Sequence, residues 1–543
     1  MAREMRWWGW GEDAKAGHAP PEVIEWFEAE LGAFDAPQGP VALEDVRLDP
    51  PRLPDTVRER FGEIVRDDRA ARVLHARGKS YPDLVRQRAG DCAAAPDAVL
   101  TPRDHDEVRS VLAACTAAGV AVVPFGGGTS VVGGLEPLRG DHAALISLDL
   151  GALDALETLD ERSQLAVVGG GIRAIELDAR LAERGFTLGH LPQSYEHVSI
   201  GGCVATRSAG QASTGYGRID DLVVGARLAA PAGDLDLRAQ PASAAGPELR
   251  RLVIGSEGIL GPITQVALRV RPLPELTRYE GWMFPSFGAG AEVLRRLEQD
   301  GAAPDVARLS DEVETRMGFG LAGLGGLRAA ALHGYLRARG VAQGAAAIVG
   351  WGGGEDAVRG RRETAVEVLR DGGGVAIGQQ AGRAWVRTRF GGPYLRDELM
   401  DRGVLVETLE SATTWTQLFT LYRAVGDALR AHAPLVACHI SHVYPTGASL
   451  YFTFMARARR AEELEQWAEV KAAASEAVIA AGATISHHHA VGSDHARYMA
   501  AEIGDTGVAA LRALKRELDP AGIMNPGKLL PEDSPPASWP PAS

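Results

Sequence analysis

At 543 residues, 45% of them hydrophobic and 24% charged, the chain is long enough for two or three domains with sizeable cores and has an ordinary globular composition. A net charge of −14 argues against a nucleic-acid-binding role, while leaving room for a local basic pocket around an anionic ligand. The four cysteines, Cys92, Cys115, Cys203 and Cys438, form no CxxC pair, which argues against a zinc or redox motif and for buried free thiols in a reducing compartment. No apolar run reaches the roughly 20 residues of a spanning helix. The N-terminus has no h-region and the C-terminus ends Pro-Ala-Ser, so a cytoplasmic location is expected.

Residues 1–93 read as a helical lead-in, with apolar residues at helical spacing from Val23 to Leu31. From residue 94 to 274 strands and helices alternate. Residues 96–100 read as a strand, and Asp104 as the cap of a helix burying Val108, Val111, Leu112 and Cys115 and ended by Gly119. A buried strand over 120–124 then runs into a glycine cluster, and a second unit follows: a strand over 165–168, a turn at Gly169 to Gly171, and a helix over 172–184 closed by Gly185. Residues 275–482 change character, with amphipathic helices over 414–431 and 461–481 and a strand-like run over 448–454. They read as a second, substrate-capping domain, completed by residues 483–530. The Pro/Ser-rich tail, 531–543, is expected to be disordered. The fold class is α+β, with a two-part first domain.

Three glycine-rich segments carry the first chemical signal: PFGGGTSVVGG from Pro124, SIGGCVATRSAGQASTGYG from Ser199 and IGSEGILGPIT from Ile254. Residues without side chains let a backbone curl around a diphosphate, and Thr129 and Ser130 add hydroxyl donors. The first cluster follows a strand but opens no helix, so it is not a Rossmann fingerprint. A single glycine cluster marks turns of every kind, whereas three in this order are specific. They resemble the flavin-binding half of the vanillyl-alcohol-oxidase (p-cresol methylhydroxylase) family. That resemblance implies FAD over residues 94–274, held by Pro124, Gly126, Gly127, Gly128, Thr129, Ser130, His190, Pro192, Ser194, Ser199, Gly201, Gly202, Thr206, Ser208, Glu257 and Ile263. Members that tether the flavin often carry a His in the first loop. Here Gly128-Thr129 stands there, so the FAD is expected to be non-covalent.

The second signal lies in the other half. His487, His488 and His489 follow a strand-like 483–485. Neighbours on a strand point to opposite faces, so all three share a site only if the chain bends. No HExxH pattern or nearby Cys completes a zinc site, so no metal is expected and a substrate or acid–base role is preferred. In the strand-like run, Tyr451 and Thr453 share one face and Phe452 and Phe454 the other. Arg308 and Arg396 sit in apolar settings, where an Arg pairs with a buried carboxylate or serves as a fork for phosphate.

With the opening RWWGWG, the segments VARLS from Val306, YLRD from Tyr394, GASLYF from Gly447 and ISHHHAVG from Ile485, and the closing NPGK from Asn525, nearly the whole chain resembles the alkyldihydroxyacetonephosphate synthase family of flavoenzymes. The resemblance implies exchange of the acyl group of acyl-dihydroxyacetone phosphate for a long-chain alcohol, with the sugar-phosphate carbon held on flavin N5. It implies proton transfer at Tyr451, and positive charge for phosphate and acid–base work from His487, His488, His489, Arg308 and Arg396; to act as a base, the phenol would need a pKa depressed by nearby cations. A long-chain alcohol calls for an apolar tunnel and suits peripheral membrane contact; a homodimer is admitted but not dictated. The chain departs from better-known members after His489, where no Lys follows Gly492, and after His190, where Leu-Pro-Gln replaces a more acidic stretch, which leaves the lipid substrate open. The alternatives are an FAD-dependent oxidoreductase of a 2-hydroxy acid of the D-lactate or glycolate type, and a flavin-binding protein without catalysis. A simple hydroxy-acid enzyme needs neither the His triplet nor Tyr451.

Overall fold

The computed structural model describes residues 5–321 and 326–531; the tail expected to be disordered lies outside the described residues apart from Pro531. The apolar runs of the first domain form a four-stranded sheet. Ala98–Leu100, Ala144–Asp149 and Val120–Phe125 lie parallel, and Val65–Arg66 pairs antiparallel at the edge. Buried on both faces, these strands are continuously apolar instead of alternating. Helix His105–Ala118 covers them, starting where the Asp104 carboxylate accepts the Glu107 N–H at 2.8 Å and stopping at the left-handed Gly119. A second sheet is wholly antiparallel, in the order Leu156–Asp160, Leu165–Gly169, Ile263–Arg269, Val223–Ala230, Gly233–Leu237. It shares a core with helices Ala174–Ala182 and Ile200–Ala205.

The second half is built on a seven-stranded antiparallel sheet, ordered Val375–Gly378, Leu276–Phe284, Ala345–Gly353, Val306–Ser310, Leu435–Tyr444, Gly447–Arg457, Val404–Thr414. Helices Phe287–Gln299, Glu355–Asp371, Leu418–Arg430 and Glu463–Ala480 cover one face, where Trp282, Phe284, Phe452 and Phe454 are fully buried. Period-two alternation sends Tyr451 and Thr453 to the opposite face, as expected. That open face looks toward the glycine-rich loops of the first domain. The four cysteines are buried free thiols, and among the described residues no helix is long and apolar enough to cross a membrane.

Three local expectations need correction. The helix placed over 414–431 starts at Leu418, because Thr414 is still in strand Val404–Thr414, paired with Gly447. The glycine-rich stretch after Ser199 is not a loop throughout; Ile200–Ala205 is a short helix whose Gly202 N–H is capped by Ser199 Oγ at 3.2 Å. Residues 483–485 form no strand: the chain bends from there through His489, the condition under which neighbouring imidazoles can turn to one side.

Candidate functional site

A cavity of about 550 Å³ runs between the glycine loops and the open face of the seven-stranded sheet. Its first wall is made by glycines. A Cβ on Gly126 would overlap Ser199 Oγ, one on Gly127 the His197 carbonyl oxygen, and one on Gly128, held at φ +69°, the Phe125 ring. Such a cradle, closed to side chains and open on one side, fits a bulky, flat cofactor with a diphosphate, so the residues present fit FAD. Pro124, Gly126, Gly127, Gly128, Thr129 and Ser130 line it from the first loop, and Pro192, Ser194, Ser199, Gly201, Gly202, Thr206 and Ser208 from the second. Glu257 and Ile263 close it from the third. Glu257 accepts the Val491 and Gly492 N–H groups at 2.9 and 2.7 Å, and burial raises its carboxyl to about 7. His190 does not reach the wall. It lies one layer behind, its Nε2 3.1 Å from the Ser208 hydroxyl, and burial lowers it to about 4.

The opposite wall carries side chains. On three neighbouring strands, Glu410, Tyr451 and His439 stand side by side in register. His439 stacks on Tyr451 with 4.8 Å between centroids, and His489 meets the same ring edge-on at 5.4 Å. Arg308 donates to Glu314 at 2.9 Å and lies against His439, with guanidinium nitrogens 3.0 and 3.1 Å from the two ring nitrogens, so here the guanidinium has a carboxylate partner while also lining the cavity. Burial works to raise Glu314, but His439 and Arg308 beside it hold it well below the ordinary range. Burial and Arg308 lower His439 to about 4, leaving it neutral at pH 7. Arg396 also lines the cavity, paired with Asp397 at 3.2 Å and donating to the Lys79 carbonyl at 2.8 Å.

Two electrostatic expectations are overturned. Tyr451 is not depressed toward neutrality: burial raises its phenol to about 12, because the surrounding protein solvates a phenolate worse than water does. The histidine segment does not present a block of positive charge either. Burial lowers His489 to about 3 and holds His487 well below its ordinary value, so these two imidazoles are neutral. His488 and His489 reach the cavity, whereas His487 stands behind them. Its Nε2 meets the Tyr444 hydroxyl at 2.6 Å and its Nδ1 meets His488 Nδ1 at 2.9 Å.

Sequence reasoning missed several wall residues. His439 and His442 lie three apart on one strand, so simple alternation sends them to opposite faces. A register shift between Ile440 and Val443 re-aims the chain, and both line the cavity. His442 is fixed by a 2.6 Å bond between its Nδ1 and Ser213 Oγ. Arg389 also lines the cavity, and its Nε and Nη1 have no hydrogen-bond partner among the described residues. The pair of histidines in a buried strand was a readable signal; Arg389 had none.

From this polar end the same sheet face continues through Thr408 and Thr453 to Val406 and Met455, four residues or about 13 Å along the strands. Phe27 of helix Pro21–Leu31, Met317, Leu395 and Leu399 complete an apolar arm there. Where a tunnel was expected, the structure has an apolar limb of the same cavity. His442, His487 and His488 place three nitrogens within 4.8 Å of one another, and one hydrogen bond of 2.9 Å joins the Nδ1 atoms of His487 and His488.

Comparison with known proteins follows this division. The FAD binding domain family matches residues 96–236, and the C-terminal domain of FAD linked oxidases matches residues 273–529. Alkyldihydroxyacetonephosphate synthase of Dictyostelium discoideum is 30% identical over 98% of the chain and 94% of the relative. The Caenorhabditis elegans protein of that name is 31% identical over 95% of the chain and 90% of the relative. A solved structure of alkyldihydroxyacetonephosphate synthase superposes with a TM-score of 0.84 at 28% identity, covering 96% of this chain and 98% of the other.

Proposed function

The chain belongs to the alkyldihydroxyacetonephosphate synthase family, and on that premise we propose that it exchanges the acyl group of acyl-dihydroxyacetone phosphate for a long-chain alcohol. The C–O bond to the acyl group breaks, the fatty acid leaves as a carboxylate, and the alcohol oxygen takes its place as an ether, with no net oxidation. The observation that carries this reading is the gradient along one sheet face, from the Arg308–Tyr451–His489 end to the Met455–Phe27 end, opposite a glycine cradle shaped for FAD. FAD, when bound, supplies a nucleophilic ring nitrogen. This chain's side chains orient the substrate and move protons. Arg308, Arg389 and Arg396 meet the phosphate, and the apolar arm takes the alkyl chain.

Tyr451 starts as a neutral phenol, so it accepts the alcohol's proton only as it passes its own to a neighbour. The neutral ring of His489 is the acceptor at hand. A phosphate dianion beside these rings raises their proton affinity, which couples proton transfer to substrate binding. Because the alcohol partitions into bilayers, we propose a cytoplasmic protein making peripheral contact with a membrane. A small 2-hydroxy acid would leave the apolar arm unfilled. The test is to supply the purified holoprotein with palmitoyl-dihydroxyacetone phosphate and labelled hexadecanol. Labelled ether with equimolar palmitate is expected; palmitate without ether, or neither product, overturns the reading.

A further inference from the structure

Glu410 makes none of the contacts expected of a surface carboxylate. It lies on strand Val404–Thr414, directly opposite Tyr451, and is 3% exposed. Its Oε1 accepts the Ser486 hydroxyl at 2.7 Å and the backbone N–H groups of His488 and His489 at 3.0 and 2.8 Å; its Oε2 accepts the His487 N–H at 2.5 Å. Three successive N–H groups converging on one anion form a nest, the arrangement used to hold phosphates. Here the protein's own carboxylate fills it. The nest is therefore closed to the substrate phosphate, and the bend it enforces turns the His488 and His489 side chains into the cavity.

Burying a carboxylate this deeply is unfavourable unless its lone pairs are met by good donors. Four donors meet this one, with the His488 Nδ1 a further contact at 3.4 Å from Oε2, and all of them come from residues 486–489. The cost is thus offset only while that segment holds this conformation. Burial opposes ionisation of Glu410, yet the imidazoles of His488, His489 and His487 hold its carboxyl well below the ordinary value. A glutamine could not replace it, since its amide nitrogen would face a backbone N–H with no acceptor to offer.

We infer that Glu410 is the positioning residue of the active site: its carboxylate locks residues 486–489 to the strand beside Tyr451 and so sets the distance between the imidazoles and the phenol. The kinetic part of this inference rests on the proposed exchange reaction; the lock itself does not.

The test compares wild type with E410Q and E410D as holoenzymes, by kinetics and by the amide resonances of His487, His488 and His489. In wild type those amides are expected downfield and slow to exchange, as carboxylate-bonded groups are. E410Q is expected to move them upfield and to lower kcat about 100-fold, the order expected for a misplacement of about 1 Å, with KM within about threefold and flavin content unchanged. E410D keeps the charge but shortens the reach, and should lose about tenfold in kcat with a smaller amide shift. Unchanged amides, or a kcat within about twofold of wild type, overturn the inference. So does a kcat loss that only tracks loss of flavin. If E410Q does not fold, E410D decides by the same criteria. Amides that move in a protein whose wild type makes no ether leave the lock standing and remove the exchange reading.

Discussion

Gly126, Gly127 and Gly128 shape one wall of the cavity by the side chains they lack, while Arg308, Glu314, His439, Tyr451 and residues 486–489 shape the other by the side chains they carry. On the first wall the neighbours that forbid a Cβ include main-chain atoms such as the His197 carbonyl, which cannot step aside. On the second, each group depends on another carried by a different element: Arg308 on Glu314, His439 on both, Tyr451 on Thr408, the histidine segment on Glu410. The difference teaches that changes to one wall should be read in cofactor retention, and changes to the other in turnover.

The largest expected effect breaks the second wall alone. Y451F should lower the rate of ether formation by about 10²–10⁴-fold, the range for loss of a proton-transferring group, while the protein stays yellow. Product formation and flavin absorbance on the same sample check both halves; loss of flavin together with activity would erase the distinction between the walls. G127A tests the converse. Its methyl would collide with main chain, so flavin occupancy should fall by about tenfold or more, with residual activity proportional to the flavin retained. M317F narrows the apolar arm by about one methylene's worth of space, which at about 0.8 kcal/mol shifts preference toward shorter alcohols by about fourfold. Competition between dodecanol and octadecanol reads this directly.

The smallest effect concerns the joint between the walls. Asp494 packs against Gly133 of the first loop, and burial raises its carboxyl to about 8. A carboxyl raised above its unfolded value of 3.8 stabilises the fold fully only below that value, and the contribution is lost as pH rises toward 8. D494N removes this loss, so its melting temperature should exceed that of wild type by a margin that grows from pH 4 to pH 8 and then levels. Parallel curves at all pH values would show that Asp494 is not held protonated.

The two walls also differ in how far the sequence discloses them. The glycine loops are local: each is one continuous segment whose composition announces close backbone approach, and every cofactor residue named from them lines the cavity except His190. The α+β class, the capped helix from His105 and the outward face of Tyr451 were equally local matters of period and capping. Glu410 was invisible because its partners lie some 77 positions away and meet it only through strand pairing and a bend. His442 was hidden by a register shift that breaks alternation. The apolar arm joins Phe27 to Met455, a proximity no window could reveal. Depth of burial, which reversed the expected shift of Tyr451 and neutralised His487 and His489, belongs to the assembled fold and not to any motif.

The most direct test of the account follows ether formation anaerobically while recording the flavin spectrum of the wild-type holoenzyme. Both walls acting together on an exchange reaction predict many ethers per flavin, equimolar fatty acid and no net bleaching. Bleaching in step with substrate consumed, or bleaching by D-lactate with no ether formed, would contradict it.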